Sequence, residues 1–228
     1  MRSSHILCKV HDLKTAVKDY QDLGFTVEWG DEPEKAINAL IWFERGPFIE
    51  LIDADAAQPP KAIAWLLGRF FPTGMIARFN HWQQMPEGWV ELALETHGTD
   101  IQPEVKALKR RDFKISGPFT NKRRPPNGCL ITTQTAFPHN MRLPILMGAY
   151  RPDPRPKSIF HANGAVGISC ISFGYNPKDQ RDWEQILDQN DPWLALESGR
   201  IGVGHVSLLG LREALPLEKT HGAVIVPG

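Results

Sequence analysis

Two residues within the first fifty, His5 and Glu50, have the types and the settings to do chemistry. His5 opens the apolar run HILCKV, and Glu50 stands at the centre of PFIELID. If the second run is a strand, Glu50 shares a face with Phe48 and Ile52 and is flanked by Ile49 and Leu51. A carboxylate in that setting is costly to bury unless it is paired, hydrogen-bonded or bound to a metal. Together the two side chains offer the nitrogen and oxygen donors that suit a divalent ion such as Zn, Fe, Mn or Ni, with positions left open for substrate. Two ligands do not complete such a site. Candidates for a third are His161, beside Asn163–Gly164, His205, in an apolar run after Gly204, and the carboxylates Glu91 and Glu95. Spacing does not choose among them, and a hydrogen-bonded structural histidine is the alternative reading of each imidazole.

Other polar residues sit where a substrate could meet them. Asn38, in INALIWF, shares a strand face with Leu40 and Trp42, and it either orients a ligand or finishes a strand edge. Arg123 and Arg124, in TNKRRPPNG, could grip a carboxylate or phosphate, Arg124 being the one expected to steady an anionic end; a solvated hairpin loop is the alternative. The tryptophans and Phe48 could line an apolar pocket (Trp42, Phe48, Trp65, Trp82, Trp89) or simply pack a core. No G-x-G-x-x-G follows a strand, and there is no P-loop or G-x-S-x-G elbow, so dinucleotide, phosphate-loop and serine-hydrolase chemistry find no motif. Cys8 falls on the opposite strand face from His5, which leaves it without an adjacent base.

The elements that must position these residues read as one pattern stated more than once. Strands are expected over His5–Val10, Phe25–Trp29, Ile37–Glu44 and Phe48–Asp53, with a helix after the first. Asp12 can cap that helix, Gly24 can end it, and Leu13, Ala16, Val17, Tyr20 and Leu23 fall at helical spacing. The order is βαβββ over residues 1–54. A connector over 55–88 holds a helix, KAIAWLLGRFF, and a second cover element rich in Trp, Phe and Met. A second βαβββ unit spans 89–150, a Pro-rich linker 151–160 and a shortened third unit 161–228. The fold class is α+β, repeated modules whose half-open sheets must bury a face against one another.

Composition narrows the partners. Lys+Arg and Asp+Glu are both 26 in 228 residues, which gives no support to nucleic acid or an anionic membrane as a partner. The three cysteines are far apart, with no C-x-x-C, and read as buried free thiols. No run suits a signal peptide or a membrane span, so the expected location is cytoplasmic. The expected partner is a small-molecule substrate, with a homodimer left open.

The run HILCKVHDLKTAVKDYQDLGFTVEWG followed by INALIWFERGPFIELID resembles the glyoxalase-like group of the vicinal-oxygen-chelate superfamily (the glyoxalase/bleomycin resistance/dioxygenase superfamily). KRRPPNG and HANGAVGI are similar to further stretches of that group. The resemblance implies paired βαβββ modules forming a concave sheet around a divalent metal. Such a protein would be a metal-dependent lyase, isomerase or dioxygenase acting on a small oxygenated substrate, or a metal-free binding or resistance-type protein on the same fold. His5 and Glu50 match the superfamily's metal positions, with Glu50 also the catalytic candidate. Two positions depart from the pattern. Ile37 stands where many relatives carry a histidine, and Met147 stands at the second-module counterpart of Glu50.

Overall fold

The computed structural model describes residues 1–56, 74–125, 128–188 and 191–228. The expected helix KAIAWLLGRFF, and Trp65 within it, lie outside the described residues. Strand β1 (Arg2–Val10) leads to helix α1 (Leu13–Asp22), then β2 (Glu28–Trp29), β3 (Asn38–Ile41) and β4 (Phe48–Asp53). Asp12 caps α1 by accepting from the Lys14 and Thr15 amides, and Gly24 turns the chain beyond it at φ 86°. Leu13, Ala16, Val17 and Tyr20 are the buried face of the helix. The second and third strands are shorter than their apolar runs suggest, because only Glu28–Trp29 and Asn38–Ile41 find ladder partners.

Helix α2 (Met75–Gln84) precedes the second repeat: β5 (Gly88–Glu95), α3 (Gln102–Arg110), β6 (Ile115–Arg123), β7 (Ile131–Pro138) and β8 (Ile145–Met147). These strands join the first four in one mixed sheet, ordered β2-β3-β4-β1-β5-β8-β7-β6. In each repeat the first strand pairs with the last in parallel, β1 with β4 and β5 with β8. The repeats meet along the antiparallel pair β1–β5. Asn38 on β3 and Asn121 on β6 belong to strands near opposite ends of this order, yet they line the same cavity. The sheet therefore curls round that cavity.

The C-terminal strands β9 (Gly167–Tyr175), β10 (Leu194–Ser198), β11 (Gly202–Leu209) and β12 (Ile225–Pro227) form a second sheet, ordered β10-β9-β11-β12. A 3-10 turn (Pro177–Asp179) and helix α4 (Gln180–Ile186) connect β9 to β10. Here β9 runs parallel to β10, antiparallel to β11, and β11 parallel to β12. That is the arrangement of β4-β1-β5-β8. The C-terminal sheet thus repeats the centre of the large one, with each abbreviated repeat keeping only its first and last strands.

Alternation along the strands decides what faces what. Ile6, Cys8 and Val10 of β1, Ile49 and Leu51 of β4, and Leu92 and Leu94 of β5 join one core with Ile168, Ile171, Val206, Leu208 and Ile225 of the second sheet. The second sheet covers the outer face of the first. His5, Leu7 and Lys9, and likewise Phe48, Glu50 and Ile52, are left to the inner, concave face. None of the three cysteines forms a disulfide among the described residues, and only Cys8 is buried; Cys170 is half-buried, and Cys129 is exposed because it lies beyond the end of β6, outside the packed sheets.

Candidate active site

The concave face encloses a cavity of about 260 Å³. One side is Leu7, Leu40 and Ile52, with Met75, Phe79 and Trp82 from α2; the other is Ile131, Phe137, Ile145 and Met147. Two buried cations fasten α2 over the sheet. Lys9 Nζ donates to the Gln83 and Met85 carbonyls, each at 2.7 Å, near the C-terminus of the helix. Arg78, wholly buried, pairs with Glu91 and donates to the carbonyls of Pro138, Asn140 and Leu143. Glu91 is therefore spoken for by an arginine.

His5 and Glu50 meet inside this cavity. Adjacent parallel strands set His5 beside Phe48, and the two rings stack with centroids 4.7 Å apart. His5 Nε2 lies 3.3 Å from Glu50 Oε2, and Glu50 Oε1 accepts from Asn38 Nδ2 at 2.7 Å. Asn38 is held close in turn by Gly30, where a Cβ would sit 1.9 Å from Asn38 Oδ1. His5 Nδ1 is 3.2 Å from Ser4 Oγ, which donates to Glu95 Oε2 at 3.0 Å while Arg2 pairs with Glu95 Oε1. A hydroxyl has one proton. With that proton directed at Glu95, Ser4 accepts from His5 Nδ1–H, and the lone pair of Nε2 faces Glu50. Two acceptors at 3.3 Å call for a positive charge between them, either a proton on Glu50 or a bound cation.

The electrostatics agree with a shared proton. Burial, helped by the nearby Arg123 charge, holds the His5 imidazole down to about 3, so it is neutral at ordinary pH. Burial pushes the Glu50 carboxyl above its ordinary value, against the opposing effects of the Asn38 hydrogen bond and the Arg123 charge. Desolvation disfavours the charged form of each group.

The remaining candidate residues are placed elsewhere. His161 does not line this cavity. It is buried with its ring against Phe25 and Phe43, its Nδ1 accepting from the Thr26 amide and its Nε2–H donating to the Trp42 carbonyl at 2.9 Å. His205 is half-buried on β11 of the second sheet. Trp42 borders an adjoining cavity of about 450 Å³, where its indole donates to Glu28. Arg155 lies over Trp42 and donates to the Phe43 and Gly46 carbonyls, pinning the Pro-rich segment to the β3–β4 turn. Trp89 donates to the Val224 carbonyl and packs against the main core. Arg124 is exposed and bonded to the Gly128 carbonyl.

Its neighbour Arg123 is the arginine that lines the cavity, because β6 continues as a strand through Asn121 and Arg123 where a loop is expected. Ser4 and Tyr150 complete the surroundings. Ser4 was not visible from alternation: a register shift between Ser3 and His5 in the β1–β5 pair lets both Ser4 and His5 turn inward. Tyr150 follows β8 and lines both cavities.

With this geometry in place, comparisons with known proteins give the class. The chain belongs to the glyoxalase-like domain family, whose model matches residues 4–188, and its curled mixed sheet is that of the vicinal-oxygen-chelate fold. Comparison with curated protein sequences found no match. Among solved structures, a hypothetical protein from Staphylococcus aureus aligns over 100% of this chain and 98% of its own, with TM-score 0.72 at 13% identity. The Mn(II)-bound glyoxalase from Novosphingobium aromaticivorans aligns over 92% of this chain and 65% of its own, with TM-score 0.53 at 13% identity. These likenesses show a shared fold.

The fold family implies a divalent metal, and two donors here fit one: His5 Nε2 and Glu50 Oε2, with Ser4 holding the far ring nitrogen. The donor set stops at two. Among the described residues no group of three or more His, Cys, Asp or Glu could hold a metal ion, and the other residues of the chain include none of those types. The second repeat does not supply the other half. Ala93 stands opposite His5 across β1–β5, and Met147 follows Ile145, the β8 partner of Ala93, by two residues, as Glu50 follows Phe48. The residues present do not make a complete site for a resident metal.

Proposed function

We propose that this protein is an enzyme that moves a proton on a small oxygenated molecule bound in the concave cavity, as an isomerase or lyase does, with Glu50 as the catalytic acid–base. The observation that carries this reading is the 3.3 Å approach of Glu50 Oε2 to His5 Nε2 inside the cavity. A carboxyl raised toward neutrality can both take and return a proton. In the ionised state Oε2 accepts a proton from a carbon next to a carbonyl group. The C–H bond breaks, an O–H bond forms on Glu50, and the electron pair passes to the carbonyl oxygen. His5 Nε2 then accepts the hydrogen bond of the new carboxyl O–H, and Asn38 holds the other oxygen. Return of the proton from Glu50 to the same carbon, as the electron pair leaves the oxygen and the C=O bond re-forms, completes the exchange, and its return to the other face of that carbon inverts the centre. Leu7, Leu40 and Ile52 make the wall beside Glu50 apolar, which favours its protonated form.

A second reading is favoured by the 3.3 Å spacing of the two donors. In it, His5 Nε2 and Glu50 Oε2 would be the two protein ligands of a divalent ion that arrives with a chelating substrate, and the ion would supply Lewis-acid polarisation of a substrate oxygen. The two readings part in one experiment. Small 2-oxo and 2-hydroxy compounds are incubated with the protein in D2O, with and without added Mn, Fe, Ni or Zn, and loss of C–H signal is followed by NMR. Exchange without metal that Glu50→Gln abolishes supports the proton-transfer reading. Exchange that requires an added ion supports the second. Exchange indifferent to Glu50→Gln contradicts both.

A further inference from the structure

The cavity carries more positive than negative charge. Arg123 and Lys122 line it, and Glu50 is the sole carboxyl among its described lining residues. Arg123 is also incomplete. Its Nη1 is buried with no hydrogen-bond partner, while its guanidinium carbon lies 5.9 Å from the centre of the Tyr150 ring. A buried N–H of a charged group without an acceptor is unfavourable, and the cost is relieved when an acceptor arrives. Most of the remaining wall is apolar or aromatic, including Phe79, Trp82 and Phe137, with Asn38, Asn121, Thr133 and Thr135 as its neutral polar groups. At about 260 Å³ the space falls below that of drug-sized ligand pockets and suits a small metabolite.

From these observations we infer that the ligand is a small monocarboxylate with an apolar body, its carboxylate held by Arg123 and its reacting end directed toward Glu50. A planar guanidinium matches a carboxylate in two-point geometry. The carboxylate takes the place of the missing acceptor, and the apolar body covers the aromatic wall. Arg123 on β6 and Glu50 on β4 stand on strands from different repeats, so the curl of the sheet brings anchor and acid–base group to one molecule. This inference rests on the proposed function for the role of Glu50, but not for the role of Arg123.

Isothermal titration of the full chain with phenylacetate and 4-methylpentanoate, and with their primary amides, tests it. The expected result is saturable binding of the carboxylates and binding about ten-fold or more weaker for the amides. Arg123→Gln should erase that preference, and Arg123→Lys should keep part of it. Amides that bind as well as the acids, an unchanged preference in Arg123→Gln, or no carboxylate binding at all would overturn the inference. Glu50→Gln separates the two ideas. If it retains carboxylate binding and loses exchange, both stand. If it retains both, the proton-transfer reading fails and the anion site stands.

Discussion

Glu50 and His5 are pushed by burial in opposite senses, and each gives the fold its own pH dependence. Glu50 in the folded protein holds its proton above 4.5, so the folded state binds more protons than the unfolded one from that pH upward. Stability is therefore lost as pH rises through the folded value of Glu50. His5 stays neutral down to about 3 while an unfolded histidine protonates near 6.5, so its contribution is lost as pH falls between those values. Glu50→Gln removes only the first effect and retains an acceptor for Asn38. Its stability should lie within about 1 kcal/mol of the parent at pH 4.5 and exceed the parent at pH 8, as read by urea unfolding at both. A variant that loses ground between pH 4.5 and pH 8 would contradict a carboxyl whose ionisation is penalised by burial.

Helix α2 is an apolar wall fastened by cations, and much of its attachment passes through one arginine. Arg78→Met leaves Glu91 buried and unpaired and should cost about 3–5 kcal/mol in urea unfolding. Arg78→Met/Glu91→Leu should be more stable than the single variant, since the stranded carboxylate is gone. A single variant that costs under about 1 kcal/mol would deny the pair its role. This attachment was not legible in the sequence, where Arg78 carries no signal and Glu91 reads as a candidate metal ligand. The αβ rhythm was legible because local signals set it. Asp12, Gly24 and the 3.6-residue spacing of Leu13, Ala16, Val17 and Tyr20 mark α1 without tertiary information. The site was legible in part. Alternation puts Glu50 on one strand face with Phe48 and Ile52, the face that proves concave, but leaves Asn38 open between a ligand contact and a strand edge, and a register shift at β1–β5 conceals Ser4. The Pro-rich stretch after Arg124 hid the continuation of β6, so Arg124 stood out where Arg123 faces the cavity.

At the scale of the whole molecule, one strand arrangement occurs twice, complete in the eight-stranded sheet and abbreviated in the four-stranded one that covers its outer face. Stacking the two buries the outer faces of β1, β4 and β5 and leaves the inner face free to carry polar groups. The two halves of that inner face have diverged. The first repeat presents His5 and Glu50, and the second presents Ala93 and Met147 at the related positions, with Arg123 farther along the sheet. The related positions of the second side carry no metal ligands, and the asymmetry instead sets the His5–Glu50 pair against the Arg123 cation across the cavity.

The most direct measurement is 15N NMR of the His5 imidazole in protein purified without chelator or histidine tag, with metal content determined on the same sample. The expected result is a neutral ring protonated at Nδ1 and bare at Nε2 from pH 5 to pH 8, an Nε2 signal that shifts in Glu50→Gln, and metal well below one ion per chain. A ring carrying a proton on both nitrogens near pH 6, or Nε2 bound to about one metal ion per chain, would contradict it.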